Sequence, residues 1–324
     1  MAVYTALDES ELARWLAAHG VGSLVEWHGI SSGIENSNFF VTTKSGDEER
    51  RFVLTLFERL GADDLHFYLA LMQHLARHDV PCPAPTPDAG GALFATLAGK
   101  PAALVTRLPG HAVLAPTPAH CASIGKALAT MHEAGRTFSL HQQNPRGIDW
   151  WEAAALRVRE FLTDAQCALL DEEMTLLSSR WRATVARLPQ GPIHGDLFRD
   201  NALFVDAGTD DARLGGLIDF YFAGCDAWLL DLAVCANDWC VDAANSVFDA
   251  PRLRALLDAY RRVRPLTGEE EDAWPMVLRA AALRFWLSRL DDLHRPRPAQ
   301  LLTPHDPAHF ERILRQRRRD ASHH

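Results

Sequence analysis

Apolar residues recur at two periods along this chain, and the change from one to the other divides it. Leu12, Trp15 and Leu16 lie at helical spacing behind Asp8-x-x-Glu11, the arrangement of a capping box, and Gly20 marks the stop. From Glu26 the texture becomes extended. A small polar loop over 31–38 is followed by residues 39–43, a turn at Ser45-Gly46 and residues 51–58, which predicts three antiparallel strands. Leu65, Leu69, Met72 and Leu75 then predict a helix over 63–78. Pro81, Pro83, Pro85 and Pro87 force an extended connection to a strand over 102–108, which ends at Pro109-Gly110.

Beyond that point the helical period dominates. Ile124, Leu128 and Met131 share a face in 118–135, and 151–188 is helical with a Thr163/Gln166 capping box. One extended interruption, 193–222, reads as a loop, a strand over 202–205, a polar turn over 206–211 and a strand over 214–220. Helices resume at Ala227; the last long one, after Thr267, is expected to break near Pro275, and the basic tail 312–319 to form a solvated helix end. No internal repeat occurs. The pattern predicts an α+β chain of two lobes. Residues 1–108 form a small antiparallel sheet with one crossing helix, and 109–324 form a larger, mainly helical lobe reached through a linker at 109–118.

Composition narrows the function classes. Of 324 residues, 48% are apolar and 23% charged, enough to bury two cores. The net charge of −9 repels a phosphate backbone, so nucleic acid is not expected as a partner. The six cysteines contain no C-x-x-C pair and are read as reduced, mostly buried thiols. No basic start with an apolar run opens the chain, and no 18-residue uncharged apolar stretch occurs, so a soluble cytoplasmic protein without membrane contact is expected.

The chemistry concentrates in His194-Gly195-Asp196-Leu197-Phe198-Arg199-Asp200-Asn201, followed by Asp219-Phe220-Tyr221. An Asp and an Asn five apart on a loop, with a second Asp at the end of the next hairpin, place three oxygen-bearing side chains around one point. Metal-assisted phosphoryl transfer requires that arrangement: Asp196 to accept a hydroxyl proton, Asn201 and Asp219 to offer hard oxygens to Mg²⁺. The spacing is that of the protein-kinase catalytic loop, with Asp-Phe-Tyr where the template has Asp-Phe-Gly. The polar loop 31–38 stands where kinases place a phosphate cover, yet holds one glycine. Thr55 occupies the third-strand position of the phosphate-pairing lysine, and the crossing helix has no interior glutamate. Asp231 is read as a buried carboxylate bonded to backbone N–H groups of the catalytic loop, and Arg199 and Arg284 as anion clamps.

Together these residues resemble the aminoglycoside-phosphotransferase and choline-kinase superfamily, whose fold is protein-kinase-like. Within it, Gly33-Ile34-Glu35-Asn36-Ser37-Asn38-Phe39, Leu54-Thr55-Leu56-Phe57-Glu58, Asp196 to Asn201, Asn237-Asp238-Trp239-Cys240 and Ala282-Leu283-Arg284-Phe285-Trp286 resemble the homoserine kinase branch. The resemblance implies ATP and Mg²⁺ as cofactors and L-homoserine as the small-molecule substrate, with Asp196 as base and Asn201 and Asp219 on the metal. It further implies Thr106, Arg107 and Leu108 as the hinge backbone for adenine, and Ser31, Ser32 and Asn36 over the phosphates. For the zwitterionic acceptor the candidates are Arg199, Asp200, Trp239 and Arg284. Thr55 belongs to the branch's Leu-Thr-Leu pattern. Gly195 stands where many relatives carry alanine, an exchange expected to matter little. The residues leave open another hydroxyl acceptor (choline, an aminoglycoside or an amino alcohol), a catalytically silent nucleotide-binding module, and the oligomeric state.

Overall fold

The computed structural model describes residues 5–30, 36–209, 212–242, 244–295 and 305–321. The described residues fall into two compact units, one running to Pro109 and the other beginning at Gly110.

The first unit opens with helix α1 (Glu9–Ala18), capped by Asp8, whose carboxylate accepts from the Glu11 N–H. The capping box expected here is only half formed. Glu11 turns its own carboxylate to the Ala98 N–H instead, and so ties α1 to the loop beyond it. Strands β1 (Ser23–Gly29), β2 (Ser37–Ser45) and β3 (Glu48–Leu56) form the expected antiparallel run, and helix α2 (Ala62–Arg77) follows. β4 (Ala95–Leu97) and β5 (Lys100–Thr106) complete a five-stranded sheet of order β1-β2-β3-β5-β4. β4, a three-residue edge strand, is too short for alternation to announce it.

Period-two alternation gives this sheet two unlike faces. Phe52, Leu54 and Leu56 of β3, with Phe39, Val41, Ala102 and Leu104, pack against Leu12, Trp15 and Leu16 of α1. The other face carries Val53 and Thr55, whose cross-strand partners are Val105 and Ala103.

In the second unit, β6 (His111–Ala112) pairs with β8 (Ala202–Val205), which forms a hairpin with β9 (Arg213–Leu217). A second ribbon joins β7 (Gln190–Ile193) to β10 (Gly224–Ala227). Around them lie α3 (Pro118–Gly135), α4 (Ile148–Val158), α5 (Asp164–Val185), α6 (Trp228–Trp239), α7 (Ala250–Val263), α8 (Gly268–His294) and α9 (Ala308–Ala321). The Thr163/Gln166 capping box forms as expected. The two ribbons bracket the segment 194–201, which is what places chemistry at their shared end.

Two further expectations are corrected. α8 runs unbroken through Pro275. A proline inside a helix costs about 3 kcal/mol, but Val277, Leu278, Leu283, Trp286 and Leu287 beyond it are buried at about 1.5–3 kcal/mol each for the large side chains, which outweighs the missing hydrogen bond. The basic tail is not a solvated end either. α9 buries Phe310, Ile313 and Leu314 together with Arg317, whose guanidinium donates to Asn237 Oδ1 and the Ser246 carbonyl and lies 3.3 Å over the Phe248 ring. Its arginines alternate with an apolar stripe at helical spacing, so charge count alone misjudges the face. All six cysteines are free thiols, with Cys82, Cys121, Cys235 and Cys240 buried. No described helix is long and apolar enough to cross a membrane.

Candidate active site

The loop that follows β7 is pinned from four sides. Asp231, at the start of α6 and fully buried, accepts from the His194 N–H at 2.7 Å and the Gly195 N–H at 2.9 Å, as a structural carboxylate should. Its Oδ2 also meets His132 Nε2 at 3.2 Å, and His132 Nδ1 meets the Tyr260 hydroxyl at 2.7 Å. Burial pushes the pKa of His132 down, so the ring is neutral, while its hydrogen bond helps hold Asp231 ionised.

His194 closes the loop internally. Its Nδ1 accepts from the Asp196 N–H at 3.3 Å, which leaves the proton on Nε2 to donate to the Ile218 carbonyl at 2.9 Å. Gly195 adopts φ +76°, and a Cβ there would lie 2.8 Å from the Phe222 carbonyl oxygen. The exchange to alanine is therefore not the indifferent one the sequence suggests: it would require the backbone after Asp219 to give way.

Further along, the Leu197 carbonyl accepts from Trp239 Nε1 at 3.0 Å. The Arg199 backbone N–H and guanidinium both bind the Asp238 carboxylate, and Nη1 donates to the Leu114 carbonyl at 2.8 Å. Two of the acceptor candidates thus sit in the scaffold of the loop. Trp239 is fully buried behind it, and Arg199 fastens it to α6.

The Asp196 carboxylate is mostly buried and is held from both ends. Asn201 Nδ2 approaches Oδ2 at 3.3 Å and donates to the Asp196 carbonyl at 2.8 Å; Arg284 Nη1 approaches Oδ1 at 3.3 Å. Burial pushes the pKa of Asp196 up to about 7, with Asp219 and Asp200 adding to the rise and Arg284 opposing it. Burial likewise brings Arg284 down to about 10. Asp219 occupies the left-handed region at φ 64°, ψ 65°, a conformation that costs a non-glycine residue about 1 kcal/mol or more and is concentrated at functional sites. The β8–β9 pairing, extended by the Ile218 N–H to the Asn201 carbonyl at 2.9 Å, sets Asp219 at the same end of the hairpin as Asn201.

Asn201 and Asp219 offer oxygen donors of the kind that Mg²⁺ takes. With Nδ2 turned to Asp196, the Oδ1 of Asn201 is the atom left to face a cation. Among the described residues no cluster of three or more His, Cys, Asp or Glu side chains could hold a metal. The donor set therefore suits an ion that draws its remaining ligands from phosphate and water.

In the first unit Thr55 is buried and donates to Asn38 Oδ1 at 2.8 Å, a neutral pair on the face away from α1. Lys100 pairs with Glu58 at 2.7 Å, but Lys100 follows the strand parity of Ala102 and Leu104, on the α1 side. It does not stand in for a third-strand lysine. Asn36 accepts from the Glu58 N–H at 3.4 Å. Thr106 is locked to Ala84 by two hydrogen bonds, and the Arg107 guanidinium lies 3.8 Å over Phe40. Leu108 follows, half-buried. Ser31 and Ser32 lie outside the described residues.

One arginine escaped the sequence reading. Arg146, in the loop before α4, carries its guanidinium 4.5 Å over Trp150 and 5.5 Å from the Phe222 ring centre. No local spacing marks it, because the residues that make it relevant lie far along the chain.

Residues 26–266 match the model of the phosphotransferase enzyme family. Among solved structures of similar fold are an amicoumacin kinase in complex with AMP-PNP, at TM-score 0.66 and 15% identity over 97% of this chain and 92% of that one. Another is a microcompartment-associated aminopropanol kinase, at TM-score 0.66 and 16% identity over 98% of each chain. Among sequences, the homoserine kinase of Paraburkholderia xenovorans is 54% identical over 321 residues, covering 98% of this chain and 96% of the relative. With such identity along nearly its whole length, the chain belongs to the homoserine kinases, a branch of the phosphotransferase enzyme family that uses ATP to phosphorylate the L-homoserine hydroxyl.

Proposed function

We propose that Asp196 is the general base of this kinase and that Asn201 and Asp219 hold Mg²⁺. The observation that carries the reading is the Asp196 carboxylate itself: mostly buried, hydrogen-bonded by Asn201, and carried on a loop that Asp231 fixes through two backbone N–H groups. A base with a pKa near 7 is ionised in about half the molecules at neutral pH and still accepts a proton effectively in the transition state. Asp196 takes the proton of the homoserine hydroxyl as that oxygen attacks the terminal phosphoryl group, whose bond to the β–γ bridging oxygen breaks so that ADP leaves with the electron pair. Asn201 keeps the carboxylate aimed through Nδ2, and its Oδ1 would be the atom offered to Mg²⁺. Mg²⁺, when bound with ATP, neutralises phosphate charge and aligns the transferred group.

Residues 1–108 are assigned as the nucleotide-binding lobe and residues 109–324 as the catalytic and acceptor-binding lobe. The Thr106 and Arg107 N–H groups already donate to Ala84 and Arg51, so adenine would be met by the carbonyls of Thr106 to Leu108 and by the Leu108 N–H. Asn36 would face the phosphates, supplying a neutral donor where Thr55 stands at the position of the kinase template's lysine. In the acceptor site Arg284 faces the homoserine carboxylate. Asp200, exposed and close enough to raise the pKa of Asp196, is the assigned partner of the ammonium.

ADP release from ATP is measured with L-homoserine, choline, L-serine and kanamycin as separate acceptors, with and without Mg²⁺. Turnover is expected with homoserine and metal, falling about 10²–10⁴-fold in Asp196→Asn. Asn201→Ala and Asp219→Asn should raise the Mg²⁺ concentration for half-maximal rate. Undiminished turnover in Asp196→Asn would overturn the assignment of the base, and an unchanged Mg²⁺ dependence in both other variants would overturn that of the metal site.

A further inference from the structure

Helices α3, α6, α7 and α8 meet behind the catalytic loop in one file of buried polar groups, and each hydrogen bond in it has a direction. Arg264, just past the end of α7 and 3% exposed, can only donate: Nη2 gives to Glu270 Oε1 at 2.8 Å and Nη1 to the Tyr260 hydroxyl at 3.0 Å. Glu270 is itself fully buried, and its other oxygen accepts from the Thr267 N–H at 2.9 Å, at the start of α8. Burial pushes the pKa of Tyr260 up, so the phenol keeps its proton. Accepting from Arg264, the hydroxyl turns that proton to His132 Nδ1, 2.7 Å away. A neutral imidazole that accepts on Nδ1 carries its proton on Nε2, and Nε2 faces Asp231 Oδ2 at 3.2 Å. The file thus runs from Arg264 through Tyr260 and His132 to Asp231. Every donor in it points toward the carboxylate that accepts from the His194 and Gly195 N–H groups.

Other contacts leave the setting of the His132 ring open. The ring lies 11° from parallel to Trp228, with 5.5 Å between centres, which fixes the plane of the imidazole but not its flip about the Cβ–Cγ bond. A flip would put carbon where both neighbours need nitrogen. Moving the proton to Nδ1 would set a lone pair against the Asp231 carboxylate. One combination of flip and tautomer satisfies both neighbours, and the Tyr260 hydroxyl selects it. Buried polar groups given the wrong partner lose their solvation without recompense, so a fully satisfied file specifies one arrangement of the segment it supports.

We propose that Tyr260 is a positioning residue for phosphoryl transfer: its hydroxyl, aimed by Arg264, sets the flip and tautomer of His132, and through His132 and Asp231 holds the loop that carries Asp196. This inference rests on the reading of Asp196 as the base. A base must be aimed more closely in the transition state than substrate binding requires, so loss of the hydroxyl appears in kcat rather than in KM.

The test compares Tyr260→Phe, which keeps the ring and removes the hydroxyl, with the parent in steady-state kinetics, thermal denaturation and ¹⁵N spectra of histidine-labelled protein. The His132 signals are assigned by their loss in His132→Gln. Well below both melting transitions, kcat should fall about 10-fold, with the KM values for homoserine and ATP within about 2-fold. The Nδ1 resonance of His132 should move toward that of an imidazole nitrogen without a hydrogen bond. In a His132→Leu background the same exchange should change kcat by less than about 2-fold, because the side chain through which the hydroxyl acts is gone. His132→Gln, able to donate to Asp231 and accept from Tyr260, should keep more of the kcat than His132→Leu. A tyrosine that only fills space would lower the melting temperature alone. An unchanged kcat, an unmoved His132 signal, or an equal loss of kcat in the His132→Leu background would each overturn the proposal. The spectrum needs the single variant only, so it decides the relay even if His132→Leu does not fold. Asp196→Asn, run alongside, separates the two readings: full turnover there refutes the base, while the His132 signal still decides whether Tyr260 sets the ring.

Discussion

At the scale of single residues, the decisive quantity is the protonation of Asp196. Its pKa stands near 7, chiefly through burial, so the basic form gains population as pH rises. The acidic limb of kcat/KM for homoserine should accordingly fall near pH 7. In Arg284→Gln the limb should move to higher pH, because the charge that opposes the rise is gone; a pH–rate profile checks both, and an unmoved limb would refute the coupling. The same shift has a stability consequence. A carboxyl whose folded pKa lies above its unfolded value costs stability as pH climbs from about 4 to about 7, and the cost is constant above that. Asp196→Asn should thus be more stable than the parent at pH 8, on the order of 1–3 kcal/mol, with the difference closing toward pH 4. Denaturation at the two pH values measures it. The motif Asp196-x-x-x-x-Asn201 made Asp196 the candidate base from spacing alone, whereas its pKa depends on burial, Arg284 and Asp219, which only folding brings near.

At the scale of elements, the catalytic loop is an irregular segment made rigid by the helices behind it. Asp231 uses both carboxylate oxygens on successive backbone N–H groups and is itself bonded by His132, three strong contacts at one buried group. Asp231→Asn puts an NH₂ group opposite an N–H donor. It should destabilise the protein by about 2–4 kcal/mol and lower kcat with little change in the homoserine KM, as measured by chemical denaturation and steady-state kinetics. Wild-type kcat in this variant would show that the loop keeps its shape without the anchor. The anchoring role of Asp231 was readable from a carboxylate set among apolar residues at a helix start. The role of α9 was not. Its Phe310 packs 5.1 Å from Phe285 and 5.7 Å from Phe198 of the catalytic loop, so a helix whose sequence looks like a charged tail helps cover the site's support.

At the scale of the whole molecule, the chain combines a net charge of −9 with an arginine, Arg284, set against the Asp196 carboxylate and a second, Arg289, near enough to feel its charge. The global charge repels polyanions while the arginine beside Asp196 suits small anionic ligands. Ligand linkage gives a test that needs no turnover. Anything that binds the native state alone raises the melting temperature, by about 2.7 kcal/mol of stabilisation at a hundredfold excess over Kd. ATP with Mg²⁺ should raise it more than ATP alone, and in Asn201→Ala the metal-dependent part should disappear. Thermal denaturation in the four combinations decides this, and an equal metal effect in the variant would remove Asn201 from the metal site. The choice of acceptor was settled at this scale too, by 54% identity to a homoserine kinase over 98% of the chain, since the kinase-like loop by itself admits several alcohols.

The sequence by itself determined what repeats locally. Hydrophobic period and caps specified the three strands, α2, α3 and the Thr163 box, and motif spacing singled out Asp196, Asn201 and Asp219 as the candidate site. Tertiary structure decided whatever depends on partners distant along the chain. Packing beyond Pro275 kept α8 whole, and burial turned the basic stripe of α9 inward. Trp239 and Arg199 became supports for the loop because Leu197, Asp238 and Leu114 receive their donors. Arg146 reached Phe222 and the neighbourhood of Arg284 across scores of intervening residues. The physical reason is the range of the forces involved: propensity and periodicity act over a few turns of chain, whereas burial, ion pairing and aromatic stacking are set by neighbours that only the folded chain supplies.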